Sequence, residues 1–251
     1  MKWSSTLQSM TNSFFLGYPS EFKQICLIYP PKVKDVACNK NFNIYVRCLA
    51  ISQEEIEDEF TRANLDLKDI PTPFEYLLAN AYNNLQFRKA VEEAFDFFTH
   101  ERIIFLFDKK MIALGDLREV KSVEKLRMLK EEDYFDFQNM IRESIGSKPV
   151  EPPRPDEDPR VKRIKAKARY REYIKAKHGK GPNLQTTLAS ISCMGMGLNP
   201  LNIGELSYAA IPVLIGTYQQ KEKYNLDVDS LLAGADSKKV HPVYWIKNLD
   251  E

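Results

Sequence analysis

The sequence contains no Cys-x-x-Cys pair, no histidine close to a cysteine or to another histidine, and no unbroken apolar run of membrane length. Each absence removes a class of function. Cys26, Cys38, Cys48 and Cys193 are widely spaced, and His100, His178 and His241 lie far from them. Spacing therefore gives no support to a zinc site, and buried reduced thiols are expected instead. The longest apolar stretches, CLIY and RIIFLF, fall well short of the roughly 20 residues a spanning helix needs, so no membrane partner is expected. The amino-terminal MKWSSTLQSMTNSFFLGYPSEF has one lysine and a broken apolar patch in place of a secretory core, which predicts an intracellular protein. No Ser-His-Asp or Cys-His set can be nominated, and neither catalytic residue, metal nor cofactor is expected.

Two glycine- and aspartate-bearing segments imitate ligand loops and fail on detail. MGMGLNP has Gly-x-Gly but follows a helical pattern, lacks a third glycine and has no Lys-Ser or Lys-Thr after it. DVDSLLAGAD opens like a calcium loop, yet has Leu231 at its fifth position, no glycine at its sixth and no glutamate at its twelfth. A helix start at Asp227 is the simpler reading. The carboxylates of VEPPRPDEDPRVK sit in a proline-rich spacer, where a nuclease metal site has no strand to hold it.

What is present is the pattern of an ordinary globular chain, 251 residues with 43% hydrophobic and 28% charged content. An apolar run ends at Pro30-Pro31, and NFNIYVRCLAI, rich in aromatic and branched residues, reads as a strand. Ser52 with Glu55 three residues on forms a helix-opening capping box. From Pro73, Leu77, Ala81, Leu85, Ala90 and Phe95 recur at mixed four- and five-residue steps, which fits one or two helices with an apolar face. ERIIFLFDKKMIALGD is a β-hairpin with its turn at Asp108-Lys109-Lys110. SVEKLRMLKEEDYFDFQNMIRESIG then reads as a helix ending at Gly146, its Tyr134, Phe135 and Phe137 serving as core or partner contacts.

The predicted organisation is an α+β, predominantly α-helical chain. A mixed α/β domain with a β-hairpin covers residues 1–146, and a Pro-rich linker covers 147–159. A basic helix follows over 160–181, and a C-terminal helical pair with an aromatic tail over 182–251. In that last part Asn202 and Glu205 are placed to cap the second helix, and Pro212 to kink it. Tyr244 and Trp245 belong to a tail of the kind that docks on its own core or on another subunit.

The basic helix is the most pronounced chemical feature. Ten Lys or Arg lie between Arg160 and Lys180 against the single acid Glu172, a net of +9 in a chain of net +1, which leaves −8 for everything else. Wound as a helix, it places Val161, Ile164 and Ala168 on one side. Ala166, Tyr170, Tyr173 and Ile174 fall roughly opposite. It thus lacks the single apolar face of a membrane-lying helix. Phosphate binding through these cations is one reading. A connector between the acidic body and a protein partner fits better, because proline and glycine hinge the segment at both ends. The partner-binding candidates are Arg160, Lys162, Arg163, Lys165, Lys167, Arg169 and Arg171 with Tyr170 and Tyr173. Met194 and Met196, Tyr244 and Trp245 complete the set.

EDPRVKRIKAKARYREYIKAKHGKG, TTLASISCMGMGLNPLNIGELSYAAI and the closing DSLLAGADSKKVHPVYWIKNLDE resemble tail-morphogenesis proteins of tailed bacteriophages and prophages of low-GC Gram-positive hosts. EEDYFDFQNMIRESIG belongs to the same pattern. Such proteins are described as tail assembly chaperones or tail accessory proteins. The resemblance implies a non-enzymatic chaperone that holds the tape-measure protein while tail-tube subunits polymerise around it, in the host bacterial cytoplasm. Self-association is compatible with that role. The alternatives are a structural component of the tail or baseplate retained in the virion and, more weakly, a nucleic-acid-binding accessory protein acting through the basic helix.

Overall fold

The computed structural model describes residues 13–63, 70–115, 126–152, 158–178 and 183–246. The expectations placed on the amino-terminal stretch, on the middle of the proline spacer and on the Gly-Lys-Gly break fall largely on residues 1–12, 153–157 and 179–182, outside the described residues. A hairpin of β1 (Ser20–Phe22) and β2 (Cys26–Ile28) comes first, paired antiparallel with Phe22 opposite Cys26. Its turn puts Lys23 and Gln24 at φ 43° and 59°. The backbone so adopts the twist of a primed turn without the Asn-Gly that would signal one.

Three short helices follow, α1 (Val33–Cys38), α2 (Phe42–Ala50) and α3 (Gln53–Arg62). The second corrects the strand expected from NFNIYVRCLAI. Its aromatic and branched residues favour a strand by propensity, but Phe42, Tyr45, Cys48 and Leu49 lie at helical steps and are the buried ones. Packing decides against local preference. The predicted capping box is formed at α3, where Ser52 Oγ accepts from Glu55 N at 3.2 Å and Ser52 N donates to Glu55 Oε2 at 2.7 Å.

Helix α4 (Pro73–Asn83) opens on a second capping box, Thr72 with Glu75, and Pro73 occupies its first position. Asn84 ends it and caps α5 (Leu85–Thr99), accepting from Gln86 N at 2.9 Å and Phe87 N at 3.1 Å, so two helices form where one or two were expected. The predicted hairpin is β3 (Ile103–Leu106) with β4 (Met111–Leu114), turned through a 3₁₀ segment, Phe107–Lys109, and a left-handed Lys110. A third strand, β5 (Arg127–Leu129), pairs antiparallel with β4 and sets Leu129 opposite Ile112. This corrects the helix expected from Ser122 onward. The free edge of β4 takes up Arg127–Leu129, and α6 begins only at Glu131, running Glu131–Ser144. Residues 116–125 lie outside the described residues.

The core is an aromatic cluster centred on Phe137 of α6. Phe95 of α5 stacks on it at 5.3 Å and 11°, Phe22 of β1 meets it edge-on at 5.6 Å, and Tyr134 bridges to Phe74 of α4. Each such burial contributes about 1.5–3 kcal/mol. Cys26 and Cys48 are buried thiols, pushed up to about 12 and about 11 by burial; Cys38 and Cys193 are exposed, contrary to the expectation for them.

The C-terminal helices are α7 (Pro159–Lys177), α8 (Leu184–Cys193) and α9 (Ala210–Leu232). The segment before α9 is laced to the body. Val33 N donates to Leu206 O, Tyr208 N to Pro31 O, and Ser207 Oγ to Phe14 O, at 2.9, 2.8 and 2.6 Å. Glu205 does not cap α9 as expected. It accepts from Lys32 Nζ at 2.8 Å and Lys34 Nζ at 2.6 Å, and these partners hold its carboxyl down at about 2. Asn202 instead precedes a 3₁₀ turn, Ile203–Glu205. Pro212 falls in the first turn of α9, where its missing N–H costs no intrahelical bond, so the expected kink has no cause there. Asp227 and Asp229 lie near the end of α9, not at a helix start. The fold is α+β and predominantly helical, as predicted.

Gly146, just past the end of α6, packs against the start of α9 at φ +72°, and a Cβ there would meet Pro212 Cγ at 2.6 Å and Ala209 O at 2.8 Å. Gly195 has the same conformation, φ +70°, with nothing within 4 Å. In urea denaturation Gly195→Ala is expected to cost about 1–2 kcal/mol for the left-handed backbone. Gly146→Ala adds the overlap and is expected to cost roughly 2–5 kcal/mol.

Glu143 of α6 is 8% exposed, and burial raises its carboxyl from 4.5 to about 7. The folded state therefore holds this proton more tightly than the unfolded chain, and the group erodes stability as pH climbs from 4.5 to about 7. Glu143→Gln should match the wild type at pH 4 and exceed it by roughly 1–3 kcal/mol at pH 8, read from urea titrations across that range.

Candidate functional site

The basic segment is a helix, and its start is written in its sequence. Asp158 Oδ1 accepts from Arg160 N at 2.8 Å, and Pro159 takes the first helical position. One side of α7 faces the acidic helix α3. Arg169 is the anchor. Its Nε donates to Asp58 Oδ2 at 2.7 Å, its Nη2 to Asp58 Oδ1 at 3.2 Å, and its Nη1 to Glu54. Glu54 and Asp58 are four residues apart, so a single helix face presents both carboxylates to one guanidinium fork. One turn along α7, the ring of Tyr173 lies 4.7 Å beneath the Arg62 guanidinium and stacks with Tyr170.

Beside these contacts α7 stands across a cleft of about 1300 Å³. The body side is apolar at Val46, Ala50, Ile51 and Ile145, with Arg47, Arg62 and Arg142 and the carboxylates Glu55, Asp58 and Glu59 around it. The α7 side contributes Ala166, Lys167, Arg169, Tyr170, Arg171, Glu172 and Tyr173. Two of the body cations are already committed. Arg47 pairs with Glu59, and Arg142 bonds Ala50 O and Glu55 Oε2. Lys167 and Arg171 have no ion pair among the described residues. A smaller cavity of about 350 Å³ continues from the cleft, sharing Asn43, Val46, Ile145 and Ser147, and reaches Tyr208, Pro212 and Ile215 at the start of α9.

Of the candidate residues, the structure thus brings Lys167, Arg169, Tyr170, Arg171 and Tyr173 to one site. Arg160 is exposed outside the cleft, Lys165 lies on the same helix, and the side chains of Lys162 and Arg163 fall outside the described residues. Met194 packs on the cluster of Val33, Ile191, Ile203 and Ile211, while Met196 is exposed. Tyr244 sits edge-on to Tyr224 of α9 at 5.8 Å with Trp245 beside it, so the tail packs on a projecting helix and does not line the cleft. Sequence reasoning missed the floor supplied by α2 and α6. The four-residue spacing of Glu54 and Asp58 was the available signal for the α3 face.

No protein-family profile, characterised protein or solved structure matches the chain. Among the described residues no helix is long and apolar enough to cross a membrane, and no group of three or more His, Cys, Asp or Glu is placed to hold a metal ion.

Arg169→Ala should release α7 from α3 while leaving the core intact. Hydrogen exchange across residues 160–177 should quicken at least several-fold, with a global loss of no more than about 1 kcal/mol because the pair is partly solvated.

Proposed function

We propose that this chain is a non-enzymatic holding protein, a tail assembly chaperone whose cleft takes a helical stretch of the tape-measure protein during phage tail morphogenesis. The cleft carries this reading. Its 1300 Å³ exceeds the roughly 300–1,000 Å³ of small-molecule sites. A helix is a cylinder about 10–12 Å across rising 1.5 Å per residue, so the same space fits about ten residues of one. The lining suits an amphipathic segment, with an apolar floor flanked by charge. The resemblance of the C-terminal third supplies the biological setting, the host bacterial cytoplasm during assembly. The nucleic-acid alternative loses its central cation, because Arg169 is bound to the chain's own carboxylates.

The test is co-expression with the long helical protein of the same tail cluster. Capture of that protein by the wild type, and its loss on Val46→Trp, which narrows the cleft from its half-buried floor, is the expected result. Capture unaffected by the tryptophan would remove the cleft from the reading. Abundance of the chain in mature virions would replace the chaperone with a retained tail or baseplate subunit. DNA binding at low salt that weakens on neutralising Lys165, Lys167 and Arg171 would favour the nucleic-acid role.

A further inference from the structure

The far half of α9 has the chemistry the cleft is suited to hold. Glu222, Leu226, Asp229 and Leu232 recur at steps of four, three and three residues, which lines them along one side of the helix. All four are exposed, Leu226 at 64% and Leu232 at 81%. Neither Glu222 nor Asp229 has an ion pair among the described residues. The aromatic tail packs against Tyr224, more than a quarter-turn away from Leu226, and so no described residue covers this stripe. An acidic and apolar stripe about three turns long is thus presented to solvent, while the cleft offers an apolar floor, the uncommitted cations Lys167 and Arg171, and room for about ten helical residues.

The stripe cannot reach the cleft of its own chain. Pro212, at the near end of α9, already borders the cavity that continues from the cleft. Leu226 and Leu232 lie 14 and 20 residues further along one continuous helix, about 21 and 30 Å away. The occupant must come from another molecule.

We propose that the Glu222–Leu232 stripe of a second copy docks in the α3–α7 cleft, with its acids against Lys167 and Arg171 and its leucines on the floor of Val46, Ala50 and Ile145. The contact is head-to-tail, since stripe and cleft are different surfaces of the same chain, and it propagates into rings or short filaments. This rests on the cleft being a helix-binding site, as in the function proposed above, but not on the identity of the tape-measure client. A copy without a client has its cleft filled by its neighbour, and the client enters by replacing that stripe.

Sedimentation velocity on the full chain from about 1 to 100 µM tests this. The wild type should show a mass that climbs with concentration and falls as salt is raised. Glu222→Lys with Asp229→Lys, and separately Lys167→Glu with Arg171→Glu, should each weaken association about ten-fold or more. All four side chains are exposed, and circular dichroism checks that both variants stay folded. An equimolar mixture of the two variants should associate again, because the reversed stripe now meets a reversed cleft. A monomeric wild type across the range, association indifferent to either reversal, or a mixture that stays monomeric would each overturn the proposal. Client capture separates it from the proposed function: Glu222→Lys with Asp229→Lys should still capture the client. Failure of self-association with capture retained sinks only this inference, whereas loss of capture on Val46→Trp with self-association retained is impossible if the two share the cleft, and would overturn it as well.

Discussion

Helix α6 bolts the end of α2 with three side chains set four residues apart. Tyr134 Oη donates to Leu49 O at 3.3 Å, Gln138 Nε2 to Ile51 O at 2.6 Å, and Arg142 Nε and Nη2 to Ala50 O at 3.0 and 2.6 Å. The last carbonyls of any helix lack intrahelical donors, and in a buried position each unpaired one costs about 1–3 kcal/mol. Here a single stripe of α6 satisfies three in succession. Arg142 also reaches Glu55, whose carboxylate is simultaneously half of the capping box that starts α3. The corner between α2 and α3 is therefore fixed on both sides by the same helix.

The rest of the site follows from that corner. Its direction sets where α3 points, and so where Glu54 and Asp58 present themselves to Arg169. Ala50 and Ile51 become the cleft floor because their carbonyls are drawn toward α6. Ile145 and Gly146, at the far end of α6, connect the cleft to the start of α9, and the close approach of Gly146 to Pro212 allows no side chain between them. Core, cleft and projecting helix thus share one element, and a shift of α6 would be felt in all three.

Much of the fold was legible because local signals and tertiary packing agree there. Ser52 with Glu55, Pro73, the apolar runs around Phe107–Lys109 and the Asp158-Pro159 start each name their element. The failures have a common cause in long-range partners. Phe42–Ala50 has strand composition and is held as a helix by burial and by α6. Arg127–Leu129 continues a helical pattern yet completes the sheet beside β4. Glu205 sits where a cap is expected and is taken by lysines more than 170 residues earlier in the chain. At the site the cationic helix was evident, while its docking face was not, because nothing local distinguishes Arg169 from its neighbours.

The charge distribution explains why one arginine suffices and why more would be a disadvantage. In the proposed role the cleft admits a helix, and an apolar interface there would resist opening, since separating two such faces re-exposes every covered square ångström at about 25 cal/mol. A fork on two half-exposed carboxylates is directional but weak, worth about 1 kcal/mol or less. It places α7 at a defined height above the floor without welding it there. Under that proposal Lys167 and Arg171, which have no ion pair among the described residues, attract an acidic segment at a distance, and the apolar floor supplies affinity only after contact. Steering is thus separated from holding, with cations on the strap and apolar residues on the body. In the proposed role a chain whose residues outside the basic segment sum to −8 receives an acidic helix because α7 brings Lys167 and Arg171 to the edge of the cleft.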